Sequence, residues 1–272
     1  MGKDLTVIKL GGSLLTDKSK PYSARDALMR TIAQEIKSCL DKGLIEDLVI
    51  VHGVGSFGHP PVLEYKLHKG YTGPEQFIPL SRTQRIVNEF RHLITKVFQE
   101  EGIPVNLLHP SSMVIAEKMR IANSFFEPIK GWMSLGMVPL LGGDLLYDQA
   151  MGFSVGSGDL LAVELARQLG AKRLIYAMDV AGFYSDNPKT NKEARLMERI
   201  SLTDLGTILN EMEQKGAADA SGAMKGKLYS ISTASDLIAG GLDVTLVSMM
   251  KEGDLTSLLK GQEVQCTRII TE

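Results

Sequence analysis

The strongest constraint on this chain is an alternation. Apolar runs of strand length, LTVIKL at 5–10, DLVIVHG at 47–53 and KRLIYAMD at 172–179, are separated by stretches with apolar residues at helical spacing. Leu28, Ile32, Ile36 and Leu40 stand four apart between the first two runs, which puts them on one face of a helix. Parallel strands need such a crossover between them. The pattern predicts a helix near 81–100, a strand in VNLLHP at 105–110, a short helix near 111–120 and a strand in MVPLLGGD at 137–144. A helix from Gly158 or Asp159 to Leu169, helices near 202–213 and 223–239, and strands in DVTLVS and TRIITE follow. This is an α/β chain: a three-layer αβα sandwich around a central, mainly parallel sheet.

With 272 residues, 44% of them hydrophobic, the chain can bury a full core without staples. Lys+Arg 30 against Asp+Glu 32 leaves a net charge of -2, so no overall positive field points to nucleic acid or an anionic membrane. Cys39 and Cys266 show neither CxxC nor metal-ligand spacing, which fits a reducing, cytoplasmic setting and two buried thiols. No apolar run approaches the length of a membrane span. MGKDLT fits a short lipidation pattern, but the strand that begins at Leu5 argues against that use. There is no repeat, linker or composition shift, so 1–272 reads as a single domain with lobes of about 1–150 and 151–272.

Glycine-rich loops stand at the ends of the apolar runs: KLGGS at 9–13, HGVGSFGH at 52–59, GGD at 142–144, GSGD at 156–159 and SGAMKGK at 221–227. Glycine lets backbone approach a ligand closely, and N–H groups at helix starts attract anions. In open parallel sheets such loops line one crevice. The G-V-G-S-F-G spacing at 53–58 matches a dinucleotide fingerprint, yet His59-Pro60-Pro61 follows where a helix should begin. No strand ending in an acid comes about 20 residues later, as that reading requires. A phosphate-loop reading of 222–228 fails on spacing and lacks the Ser/Thr that would hold magnesium. Lys9, Lys18, Lys225 and Lys227 stand beside these loops. Each alone reads as a solvated surface group; together they suit spread phosphoryl charge. The segment 55–80, with Pro60, Pro61, Pro74 and Pro79, reads as a lid.

KLGGS, HGVGSFGH, GSGD, YAMDVAGFYSDNP at 176–188 and SGAMKGK occur in an order that resembles the amino acid kinase superfamily over nearly the whole chain. The G-S-F-G-H ending in His59 and T-D-K at 16–18 resemble the archaeal-type isopentenyl phosphate kinases within it. That resemblance implies the amino acid kinase fold and transfer of the γ-phosphoryl group of ATP to isopentenyl phosphate, a step of isoprenoid biosynthesis. It also implies a cytoplasmic homodimer. The acceptor is already an anion near neutrality, so the work is positioning and charge neutralisation.

By the same resemblance Lys9, Lys18, His59 and Asp159 are catalytic, with Asp159 orienting the lysines. Gly53, Val54, Gly55, His59 and Gly158 face the acceptor phosphate; for its apolar tail, i+4 spacing puts Ile86 and Phe90 on one face of the 81–100 helix and makes Ile86 a candidate, although such a stripe is more often ordinary core. Lys9, Gly11, Gly12, Ser13, Asp179, Gly182, Phe183, Tyr184, Lys225 and Lys227 lie along the nucleotide, although Gly182 reads equally well as a turn residue. Magnesium is expected to arrive on ATP, with no protein metal ligands. Val54 and Ala223 stand where glycine is usual in this family, and valine at 54 is tolerable only at negative φ. The alternatives are a fosfomycin-type or uridylate-type kinase, or a noncatalytic nucleotide-sensing domain of the same fold.

Overall fold

The computed structural model describes residues 4–214 and 221–272; Met1 to Lys3 of the lipidation pattern and the side chain of Ala223 lie outside this description. In chain order the elements are β1 Leu5–Leu10, α1 Gly12–Leu15, α2 Asp26–Asp41, β2 Asp47–His52, α3 Gly55–Glu64, α4 Phe77–Glu100, β3 Val105–Leu107, β4 Val114–Glu117 and β5 Arg120–Ser124. They continue with α5 Glu127–Ser134, β6 Val138–Gly142, β7 Asp144–Asp148, β8 Gly152–Gly156, α6 Gly158–Leu169, β9 Arg173–Met178 and β10 Arg199–Ser201. The last are α7 Leu202–Gln214, α8 Ser221–Ser232, α9 Ser235–Ala239, β11 Asp243–Ser248, α10 Asp254–Leu259 and β12 Cys266–Ile270.

Eight strands form one sheet in the order β10-β12-β11-β9-β1-β2-β6-β3. Only β11 and β12 pair antiparallel; the other neighbours are parallel. All six residues of β1 are buried, as a central strand covered on both faces must be. Alternation sends Ile8 and Leu10 into a core with Met29 and Ile36 of α2 and Phe90 and Phe98 of α4. Leu5 and Val7 face the opposite core, with Leu161 and Leu165 of α6 and Leu228 and Ile231 of α8. Lys9 shares that second parity, so the strand delivers its side chain toward α6. The expected lobes share this sheet, since β1 pairs directly with β9.

Three expectations need correction. First, 55–64 is a helix despite its prolines. Pro60 removes the donor that Ser56 C=O would receive within α3, and the Tyr22 N–H supplies one instead at 3.1 Å. The missing helix was therefore a wrong ground for rejecting a dinucleotide fingerprint; the missing strand was a sound one, because only helical turns and α4 lie between α3 and β3. Second, 111–120 forms no α-helix, only the end of a 3-10 turn over Pro110–Ser112. It opens a second sheet of four strands, β5-β4-β7-β8. Lys118 and Met119 adopt positive φ at its β4–β5 turn, and both donate their N–H groups to the buried Asp148 carboxylate, at 3.0 and 2.9 Å. The same carboxylate accepts from Ala150 and Met151 in the next turn. Third, the helix expected over 223–239 is broken into α8 and α9. Cys39 and Cys266 are buried free thiols.

The loops after β1 and β2 meet backbone to backbone. A Cβ added at Gly12 would lie 2.6 Å from Gly55 N, and one at Gly53 2.5 Å from Gly12 N. Gly12→Ala should therefore lose on the order of 1–3 kcal/mol in urea unfolding, because the obstacle is backbone. Gly131→Ala, which meets nothing within 4 Å on exposed α5, should gain about 0.5–1 kcal/mol. Equal stabilities for the two variants would show that the loops part freely.

Candidate active site

Three elements bring one acid and two lysines together. Lys9 Nζ lies 2.8 Å and Lys227 Nζ 2.9 Å from the same oxygen, Asp159 Oδ1. The side chains of Lys9, Asp159 and Lys227 are only 8%, 14% and 8% exposed. Asp159 stands in the first turn of α6, whose cap Ser157 accepts from the Asp159 and Leu160 N–H groups. A carboxylate there is favoured by the helix dipole. Burial alone would raise the Asp159 carboxyl, but the Lys227 and Lys9 charges outweigh it and hold the group well below the usual carboxylate range. Burial pushes the Lys227 ammonium down, partly offset by Asp159, to about 8. The ammonium also sits 4.8 Å from the centroid of the buried Tyr176 ring, a cation–π contact. One carboxylate between two ammonium groups leaves a local excess of positive charge.

His59 and Lys18 are exposed at the first-half side of this cluster. Partial burial, then the charges of Lys18 and Lys9, hold the His59 imidazole below the usual histidine range. Both lysine charges therefore reach the His59 ring, and an anion between them would favour its imidazolium form. Val54 has φ of −93°, so a side chain there carries no left-handed strain. It packs instead against Gly58, where an added Cβ would meet Val54 Cγ2 at 2.3 Å. Gly158 is equally confined, with an added Cβ 3.1 Å from His52 O and 3.7 Å from Lys9 Cε. Two N–H groups expected as phosphate donors are already engaged, Gly11 to Ala177 O and Gly53 to Leu10 O, each at 2.8 Å.

On the other side, Ser13 Oγ donates to Asp179 Oδ1 at 3.0 Å, and Lys189 pairs with the second Asp179 oxygen. Burial would raise the Asp179 carboxyl, but the Lys189 and Ser13 bonds lower it further. Gly182 and Phe183 serve the fold. A Cβ at Gly182 would meet Thr267 Oγ1 at 2.3 Å, the Phe183 N–H donates to that oxygen at 2.8 Å, and the Phe183 ring is buried in the α6-side core. Tyr184 bridges to Leu196. Lys225 is half-buried on α8, two residues before Lys227. Ile86 is half-buried on α4, whereas Phe90 belongs to the core and stacks on Phe57 at 4.3 Å between ring centroids.

Sequence reasoning missed a buried polar network beneath these loops. Arg91 is fully buried. Its Nε donates to His52 Nε2 at 3.1 Å, its Nη2 to Gly143 O at 3.1 Å, and its Nη1 lies 3.1 Å from Asn88 Oδ1, 2.9 Å from His109 Nδ1 and 3.5 Å from Asp144 Oδ2. His52 and Asp144 sit in the very motifs that drew attention for their glycines. Arg91 falls on the inward stripe of α4, four residues after Val87 and beside Phe90, and that position was its only signal.

Among the described residues no group of three or more His, Cys, Asp or Glu side chains could hold a metal ion. Among them, no helix is long and apolar enough to cross a membrane. The family model for the amino acid kinase family matches residues 4–245. The chain is 33% identical over 274 aligned residues to the isopentenyl phosphate kinase of Methanothermobacter thermautotrophicus, covering 97% of this chain and 98% of that one. It is 34% identical to the isopentenyl phosphate kinase of Methanocaldococcus jannaschii, covering 82% and 85%. An X-ray structure of an isopentenyl phosphate kinase superposes with a TM-score of 0.81 at 29% identity, over 97% of this chain and 99% of that one. With its phosphate-friendly strand ends, its lysine-carboxylate cluster and a family match over most of its length, this chain belongs to the amino acid kinase family.

Proposed function

We propose that this protein transfers the γ-phosphoryl group of ATP to the phosphate of isopentenyl phosphate, forming isopentenyl diphosphate. One observation carries the reading: Lys9 is shared, bonded to Asp159 beside Lys227 and electrostatically coupled to His59 beside Lys18. A cation common to two positive subsites suits a group passed between two anions. In this reading Lys227, Asp179, Tyr184 and Lys225 lie on the nucleotide side, with Gly12 and Ser13 beneath the phosphates. Lys18, His59, Val54, Gly55 and Gly158 hold the acceptor phosphate, and Ile86 borders its apolar tail. The reacting anions supply oxygen ligands of the kind magnesium prefers, so the metal travels on ATP. A cytoplasmic homodimer with nucleotide and acceptor lobes completes the proposal; sedimentation velocity tests the dimer.

Coupled ADP release with isopentenyl phosphate, dimethylallyl phosphate, fosfomycin and UMP should show the highest kcat/KM for isopentenyl phosphate. A preference for UMP or fosfomycin would overturn the acceptor assignment. His59→Ala should raise the acceptor KM while the Kd for ATP stays nearly constant, and Lys9→Ala should chiefly lower kcat. Collapse of ATP affinity in the histidine variant would move His59 from the acceptor subsite to the nucleotide subsite. The Lys227 ammonium, pushed down to about 8, is charged below that pH and neutral above it. The kcat/KM for ATP, which reports the free enzyme, should therefore fall above about pH 8. Lys227→Arg, which stays charged, should abolish that limb; a limb that persists belongs to another group.

A further inference from the structure

We infer that Arg91 and His52 are positioning residues that aim the Val54 N–H at the acceptor phosphate by fixing the Gly53–Val54 peptide plane. The inference rests on the phosphoryl-acceptor reading above. The geometry has three links. Arg91 Nε can only donate, so His52 Nε2, at 3.1 Å, accepts and carries no proton. Burial and then the Arg91 charge push the His52 imidazole down to about 3, so the ring is neutral near pH 7. Its one proton is therefore on Nδ1, which lies 3.2 Å from Gly53 O and donates to it.

A trans peptide is planar, with its C=O and N–H antiparallel. Drawing Gly53 O toward the buried His52 ring turns the Val54 N–H the opposite way. Neighbouring contacts leave the ring little freedom. A Cβ at Gly142 would stand 2.6 Å from His52 Cδ2. The His52 ring is edge-on to Phe90, with centroids 5.9 Å apart. Arg91 also grips Gly143 O at 3.1 Å, and the Gly143 N–H donates to His52 O at 3.1 Å. The same guanidinium therefore holds the floor beneath Gly53 and the loop facing Gly158.

Two substitutions separate the links. His52→Asn can place an amide N–H where Nδ1 was and keep the Gly53 bond while dropping the Arg91 contact. His52→Gln can reach Arg91 with its amide oxygen but no longer serves Gly53. The glutamine variant should raise the acceptor KM about tenfold, the effect of one lost hydrogen bond, with the Kd for ATP unchanged. The asparagine variant, which loses the Arg91 link but keeps the Gly53 bond, should raise the acceptor KM by clearly less than the glutamine variant does. Equal damage in both, or an unchanged acceptor KM in the glutamine variant, would overturn the inference. The acceptor used is whichever of the four test compounds the wild-type protein phosphorylates, so failure of isopentenyl phosphate is seen separately in the wild-type arm. Independently of turnover, 15N NMR of the imidazole should show neutral His52 protonated on Nδ1 at pH 7, and Arg91→Lys should weaken that preference. Protonation on Nε2, or an imidazolium, in the wild-type protein would refute the assignment.

Discussion

The geometry of the site depends on one carboxylate. Asp159 holds Lys9 from β1 and Lys227 from α8 on a single oxygen, and without it two nearly buried ammonium groups would face each other. Removing such charges from water costs several kcal/mol per ion, so neither lysine would stay inside unpaired. The N-terminus of α6 is where a carboxylate is least costly to bury, because the helix dipole and the Ser157 cap already favour this end. The acid thus makes the two lysines possible, and the helix makes the acid possible. The net positive charge left over is what an anionic ligand meets.

Glycines bring the remaining parts within range of that cluster. Gly12, Gly53 and Gly55 allow two strand-end loops to meet backbone to backbone, and Gly158 lets α6 start against His52 O and Lys9. A side chain at Gly12, Gly53 or Gly55 would force these groups apart, and one at Gly158 would demand a shift of a few tenths of an ångström. Phosphoryl transfer is sensitive to that scale of displacement, since reacting atoms must be held near contact and in line. Val54 is the instructive exception. Its negative φ permits the side chain, and Gly58 one helical turn later makes room for it.

What could be read from the sequence follows from how local the causes are. β1, β2, β9 and β11 are continuous apolar runs, and α6 has a polar cap, a helical stripe and a closing Gly170, so each announces itself. The cluster of Lys9, Asp159 and Lys227 was legible only through family resemblance, because a parallel sheet joins residues far apart in the chain. The four-stranded sheet was not legible. Its β4–β5 turn is Lys118-Met119, without the glycine or asparagine that marks such turns, and the stabilising group is Asp148, about 30 residues later. The α3 helix was hidden because the group that compensates for Pro60 is the Tyr22 N–H, from another loop.

Arg91 shows the deepest limit. A charged residue in an amphipathic helix is ordinarily read as solvated, and nothing adjacent marks this one as buried. Its acceptors come from β2, the β6–β7 turn, the segment before β4 and its own helix, so the site exists only when all four are assembled. That dispersal has a mechanical consequence. A guanidinium with its donors tied to separate strand ends resists their relative movement more than any pairwise contact between them could. On the proposed reading the charged cluster above it needs such resistance, because Lys9 would serve two subsites from one position. On that reading electrostatics would draw two anions toward the site, and the buried network beneath the glycine loops would hold in place the groups that receive them.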